Sequence, residues 1–76
     1  MAERLYNRLL EIRSARGLTQ AGLAELVGVS RKTINTVENG IFIPSTLLAL
    51  KLARALERPV EEIFSLEPDR QELPSP

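Results

Sequence analysis

Hydrophobic residues recur along this chain with the three- or four-residue spacing of α-helices, and no segment shows the strict alternation of a half-buried strand. In ERLYNRLLEIRSARG, Leu5, Leu9 and Ile12 fall on one face of a helix, which Gly17 ends. Four further segments have helical character, and each begins at a capping residue or a proline. The pattern predicts an all-α domain of five short helices over residues 1–66, with no strand.

The second and third helices are predicted to be joined by a tight turn. Thr19 is the expected N-cap of the second helix, and Gly28 is expected to end it in the left-handed conformation that favours glycine. Ser30 then caps the third helix, which is predicted over residues 31–39. Two short helices joined by a glycine-containing turn form a helix-turn-helix unit.

The second half of the chain is predicted to hold two more helices and a tail. PSTLLALKLARALE, with Ser45 as N-cap, carries apolar residues nearly all round, so we expect it to be the central packing element. RPVEEIF predicts a short fifth helix with Pro59 at its start. Residues 67–76 contain three of the five prolines and are predicted to be a flexible, solvated tail.

Composition narrows the class of function. The chain lacks cysteine and histidine, so it has neither a disulfide framework nor the commonest metal ligands and general base. Glu61 and Glu62 are the only adjacent carboxylates, and neighbouring helical residues do not face each other. We therefore expect no enzyme, no metal, no cofactor and no small-molecule ligand. No apolar run approaches the roughly 20 residues of a membrane span, which predicts a cytoplasmic protein.

The third helix is predicted to have two different faces. At about 100° per residue, Ile34, Val37 and Ile41 point toward a core. The opposite face carries Lys32, Asn35, Thr36 and Asn39, with Arg31 at its flank. Such cations, amides and hydroxyls contact base edges in the major groove of DNA. A solvated helix face is also polar, so composition alone leaves that alternative open.

The segment LTQAGLAELVGVSRKTINTVENG, followed by PS and an apolar helix, resembles the Cro/CI-type (XRE-family) helix-turn-helix domain of bacterial and phage transcriptional regulators. The similarity covers roughly residues 7–66. It implies a compact five-helix, lambda-repressor-like domain that binds double-stranded DNA in a sequence-specific way. Repression is the default expectation. Activation stays open, because Glu25 lies about where an acidic residue of the family's phage repressors touches RNA polymerase.

The resemblance also implies which residues contact DNA. Base-reading positions of the family coincide with Arg31, Lys32 and Thr36. Asn35 is a further candidate for base readout, because it lies on the same predicted face and an asparagine amide pairs with adenine. Positions that contact phosphate match Gln20, Thr33 and Asn39. Gln20 is also expected to brace the third helix.

A structural ion pair is implied by the same resemblance. Arg13 and Glu38 match a family pair that ties the first helix to the end of the third, although Arg13 could instead cap its own helix. Several residues depart from the family pattern, two of them near helix ends. Gly22 replaces the usual capping-box residue, and Glu57 stands where a C-capping glycine is common.

The chain has more apolar residues outside its predicted core than a monomer needs. Leu10 falls at a normally polar position, and Ile41, Phe42 and Ile43 replace a polar loop. Exposed apolar clusters often mark interfaces. We therefore expect a homodimer that uses the 41–43 loop with the fourth and fifth helices, and places two recognition helices one DNA turn apart. Alternatively, Phe42 folds back to cap the core.

A protein-interaction module, such as an antitoxin subunit, is the alternative function. The net charge is zero, whereas DNA-binding domains are commonly basic. The acidic, proline-rich tail also favours this alternative. Against it, residues 1–40 hold six Arg or Lys and four Glu, so the half that contains the third helix is mildly basic.

Overall fold

The computed structural model describes residues 4–67 of the chain, and within them five helices and two very short strands. In chain order these are β1 (Tyr6–Asn7), α1 (Leu9–Ala15), α2 (Gln20–Val27), α3 (Arg31–Glu38), α4 (Thr46–Leu56), α5 (Val60–Ile63) and β2 (Phe64–Ser65). The predicted five-helix, mostly helical domain is confirmed. The predicted tail lies outside the described residues, apart from Glu67.

The expectation that the chain contains no strand is wrong. β1 pairs with β2 in antiparallel register, with Tyr6 opposite Ser65 and Asn7 opposite Phe64. The Arg8 N–H extends the pairing with a bond of 2.8 Å to the carbonyl of residue 63. Because backbone groups of residues 6–8 find partners near the other end of the domain, α1 begins only at Leu9. Leu5 therefore lies outside the helical stripe that the sequence predicted.

The helix-turn-helix forms at the predicted residues. The Thr19 hydroxyl accepts the Gly22 N–H at 2.9 Å, and the Ser30 hydroxyl accepts the Thr33 N–H at 3.1 Å. Gly28 has a φ of 75°, and the next N–H donates back to the Ala24 carbonyl. These local bonds satisfy orphan backbone groups at the helix ends and fix the turn between α2 and α3.

The core is built from one apolar face of each helix. Its buried residues are Leu9, Ile12, Leu23, Ala24, Val27, Ile34, Val37, Leu48, Leu52, Leu56 and Ile63. α4 contributes three leucines spaced four residues apart, whereas Leu47 and Leu50 on its other side are exposed. Only one of the apolar sides of α4 is therefore buried, and α4 is amphipathic like its neighbours.

The segment after α3 also differs from the prediction. Ile41 was expected to face the core, but its side chain is 76% exposed. The helix ends at Glu38, and Gly40, with a φ of 73°, redirects the chain so that the N–H groups of Ile41 and Phe42 both donate to the Thr36 carbonyl. Since the helical wheel stops applying at that turn, Ile41 leaves the face of Ile34.

The described residues include no helix that is long and apolar enough to cross a membrane. Among the same residues, no cluster of acidic side chains could hold a metal ion.

Candidate nucleic-acid interface

α3 packs into the domain along a narrow face. Ile34 and Val37 are fully buried, and they are the only α3 residues in the core. Arg31, Lys32 and Asn35 are exposed. The buried face of α3 therefore follows the predicted wheel as far as residue 38, and Arg31, Lys32 and Asn35 are open to a partner.

The single carboxylate of α3 is turned away from that outward face. The Glu38 side chain is 1% exposed, and its Oε2 lies 2.5 Å from Nε of Arg13 on α1. A second bond of 3.3 Å joins Arg13 Nη2 to the other carboxylate oxygen. Arg13 also donates to the Leu18 carbonyl at 2.8 Å, in the loop between α1 and α2. Negative charge that would repel phosphates is thus buried and neutralised within the domain.

Gln20 joins this pair to the outward face. Its Nε2 donates to Glu38 at 2.9 Å, and its Oε1 accepts from Arg31 Nη1 at 3.2 Å. A continuous chain of polar contacts therefore runs from α1 through the first residue of α2 to the first residue of α3. One N–H of the Gln20 amide remains for another acceptor, because each amide nitrogen carries two.

Lys32 and Asn35 occupy the middle of the outward face. The Lys32 side chain makes no hydrogen bond or ion pair with another residue in the range 4–67. Asn35 is linked to Asn39, whose Nδ2 donates to the Asn35 carbonyl at 2.9 Å and to its side-chain oxygen at 3.3 Å. The Asn35 amide nitrogen donates no hydrogen bond to another described residue, so it is available as a donor.

The hydroxyl groups of the two threonines of α3 are held by nearby residues, and Thr36 is less exposed than the predicted face implies. Thr36 is half-buried, and its hydroxyl donates to the Thr33 carbonyl at 2.9 Å. The Thr33 hydroxyl lies 3.0 Å from that of the N-cap Ser30. Because the Thr36 hydroxyl donates within α3, Thr36 can contact DNA only through its methyl group and the lone pairs of its hydroxyl oxygen.

The hydrogen bonds of the Asn7 side chain were not predicted from the sequence. Its Nδ2 donates to the Val37 carbonyl at 3.0 Å, and its Oδ1 accepts the Leu9 N–H at 3.1 Å. The available signal was an asparagine immediately before an apolar-periodic segment, which is typical of a helix start. The bond to α3 has no such local signal.

Exposed apolar residues occur in the loop after α3 and along α4. Ile41 and Ile43 are 76% and 71% exposed, Phe42 is 46% exposed, and the outer leucines of α4 add Leu47 and Leu50. Phe42 is not among the partly buried residues that pack against the core, so the alternative that it folds back to cap the core is wrong. These five residues are called the apolar patch below.

Comparison with known proteins gives the class of this domain. The model of the HTH_3 helix-turn-helix family matches residues 9–63, and the chain belongs to this family of DNA-binding transcriptional regulators. It is 41% identical over 63 residues to the uncharacterized HTH-type transcriptional regulator YgzD of Bacillus subtilis, covering 83% of this chain and 96% of that protein. It is 52% identical over 60 residues to an uncharacterized HTH-type transcriptional regulator of Methanothermobacter thermautotrophicus, covering 78% and 87%.

Solved structures of related sequence share the fold. The restriction-modification controller protein C.AhdI from Aeromonas hydrophila matches with a TM-score of 0.69 and 44% identity, covering 72% of this chain and 83% of that chain. The clp gene regulator ClgR from Corynebacterium glutamicum matches with a TM-score of 0.68 and 30% identity, covering 71% and 57%. The resemblance to Cro/CI-type regulators is therefore confirmed.

Proposed function

We propose that this protein is a sequence-specific repressor that reads the major groove of double-stranded DNA with residues 31–39. The observation that carries the proposal is the charge of the outward face of α3. Two exposed cations and exposed amides lie there, while the only carboxylate of the helix, Glu38, is buried against Arg13. A helix face that is only solvated tolerates exposed carboxylates, so solvation alone does not explain why Glu38 is buried.

Each outward side chain has a distinct role in this proposal. Arg31 and Lys32 donate to guanine O6 and N7, Asn35 pairs with adenine, and the Thr36 methyl contacts a thymine methyl. Phosphate contacts, which position the domain without reading sequence, come from Gln20, Thr33 and Asn39. The half-buried position of Thr36 supports a methyl contact over a hydroxyl contact.

A homodimer is the form that we propose for DNA binding. The apolar patch supplies the self-complementary surface, and its exposure is unusual for the loops of a small monomer. In a two-fold dimer, two copies of α3 would enter successive major grooves about one helical turn apart. Such a dimer would repress by occluding a promoter in the cytoplasm, without catalysis or a cofactor.

Selection from a randomised duplex library tests the proposed function. The protein is incubated with the library at low and at near-physiological salt, and the retained duplexes are sequenced. We expect an enriched motif of two inverted half-sites and an affinity that falls steeply with salt, since phosphate contacts release counterions. An enriched motif with a single half-site would support sequence-specific DNA binding and contradict the proposed homodimer. The absence of enrichment at both salt concentrations would contradict the proposal and favour a protein-interaction module.

A further inference from the structure

One carboxamide holds the last turn of α3 to the first turn of α1. Asn7 lies in β1, and its backbone is opposite Phe64 of β2. Its side-chain oxygen accepts the Leu9 N–H at 3.1 Å, while its side-chain nitrogen donates to the Val37 carbonyl at 3.0 Å. Both halves of the amide are thus engaged, one with each helix.

The two acceptor sites of the Val37 carbonyl are both used. Besides the Asn7 amide, this carbonyl accepts the Gly40 N–H at 3.0 Å. Carbonyl groups in the last turn of a helix have no partner within the helix and must find one elsewhere. Asn7 therefore fixes the end of α3 through a neutral bond, one residue before the point where Arg13 fixes it through an ion pair with Glu38.

We propose that Asn7 is a positioning residue for DNA readout: it sets the angle of α3 to the rest of the domain, although it lies outside the helix-turn-helix. The inference rests on the proposed function. A side chain that reads a base must lie within hydrogen-bond distance of that base edge. If one end of α3 is free to tilt, the protein therefore loses discrimination between sequences before it loses the attraction between its cations and the phosphates. Asn7 would therefore affect specificity more than general affinity.

Two substitutions separate the bond to α3 from the bond to the Leu9 N–H at the start of α1. Asn7→Asp keeps an oxygen that accepts the Leu9 N–H, but it replaces the donor to Val37 by a second oxygen. Asn7→Ala removes both bonds and adds no charge. Ile63→Val is the matched control, because it loosens the buried core through α5 and leaves the Asn7 amide intact. All three are compared with the unsubstituted chain at a temperature where each is folded by circular dichroism.

The first readout needs no DNA. Amide hydrogen exchange is followed at Gly40, Ile41 and Phe42, whose N–H groups close the end of α3. We expect exchange to rise about fivefold in both Asn7 variants, as for the loss of one neutral hydrogen bond, beyond the change seen in Ile63→Val. Unchanged exchange would overturn the inference whether or not the protein binds DNA.

The second readout is the ratio of affinities for the enriched duplex and an unrelated duplex of equal length. We expect this ratio to fall about fivefold in both Asn7 variants, with affinity for the unrelated duplex unchanged in Asn7→Ala and the ratio unchanged in Ile63→Val. An unaltered ratio alongside faster exchange would overturn the positioning role. If the unsubstituted chain prefers no duplex, the proposed function fails and this ratio cannot be formed, while the exchange data still decide whether Asn7 fixes α3.

Discussion

Arg13 and Glu38, separated by 25 residues in the chain, meet with 2.5 Å between Nε and Oε2, and the Glu38 side chain is almost completely buried. The pair joins α1 to the last residue of α3. Desolvation offsets most of the attraction in a buried ion pair, so its main effect is to orient α3 rather than to stabilise the fold. It also keeps the outward face of α3 free of negative charge.

Removal of Arg13 alone should be strongly destabilising. Arg13→Met leaves a buried carboxylate with Gln20 as its remaining hydrogen-bond donor, and we expect the free energy of unfolding to fall by about 3 kcal/mol. In the double variant Arg13→Met/Glu38→Gln no buried charge remains, so most of that loss should be recovered. Urea denaturation without DNA measures both. A double variant as unstable as Arg13→Met would show that the lost packing of Arg13, and not the unpaired charge, causes the effect.

Gln20 should act on affinity for all sequences alike. Its amide braces Arg31 and Glu38 and keeps one N–H for a phosphate, which carries no sequence information. We expect Gln20→Ala to weaken binding about fivefold to the enriched duplex and to each of its single-base variants. Arg31→Ala is the comparison, because a base contact predicts a loss concentrated at one base pair. A loss concentrated in the same way for Gln20→Ala would identify Gln20 as a base-reading residue.

Glu57 offers a stabilising substitution away from α3. It ends α4 with a φ of 56°, in the left-handed region that costs a residue with a side chain about 1–2 kcal/mol. Glu57→Gly should raise the free energy of unfolding by about 1 kcal/mol, because glycine adopts this conformation without strain. The gain is smaller than the full strain energy, because glycine also makes the unfolded chain more flexible. Glu57→Ala is the control: it removes the same exposed contact to Arg16 and keeps the Cβ atom. Equal stability of the two variants in thermal melts would refute the backbone explanation.

The apolar patch should be required for association. Ile43→Asp places a charge in its exposed loop, and we expect this variant to sediment as a monomer at concentrations where the unsubstituted chain forms a dimer. Leu10→Asp makes the same kind of change at an exposed position of α1 and should leave the dimer intact. Monomeric behaviour of the unsubstituted chain at high concentration, or equal dissociation by both variants, would contradict the proposed interface.

Features that depend on neighbouring residues could be predicted from the sequence. The caps at Thr19 and Ser30 and the left-handed Gly28 each act within a few residues, and they define the helix-turn-helix. The two faces of α3 follow from helical geometry alone. The left-handed conformation of Glu57 agrees with the family position at which glycine is common.

Features that depend on residues distant in the sequence could not be predicted. β1 and β2 are two residues each, and they exist because the ends of the described domain meet. The wheel of α3 misplaced Ile41, because it continued the helix past the turn at Gly40. α4 has apolar residues on several sides, and the helices around it determine which of them are buried, so its sequence alone does not show that Leu47 is exposed.

The most direct measurement is the effect of Lys32→Ala on the enriched duplex and on every single base-pair variant of it. Lys32 is exposed on α3, and Lys51→Ala, with the same change of charge on α4, is the matched control. If α3 reads bases, Lys32→Ala reduces discrimination by about 1–3 kcal/mol at one base pair of each half-site, and Lys51→Ala reduces it at none. A loss for Lys32→Ala that is equal on all duplexes would contradict base readout by Lys32 and leave it a phosphate contact.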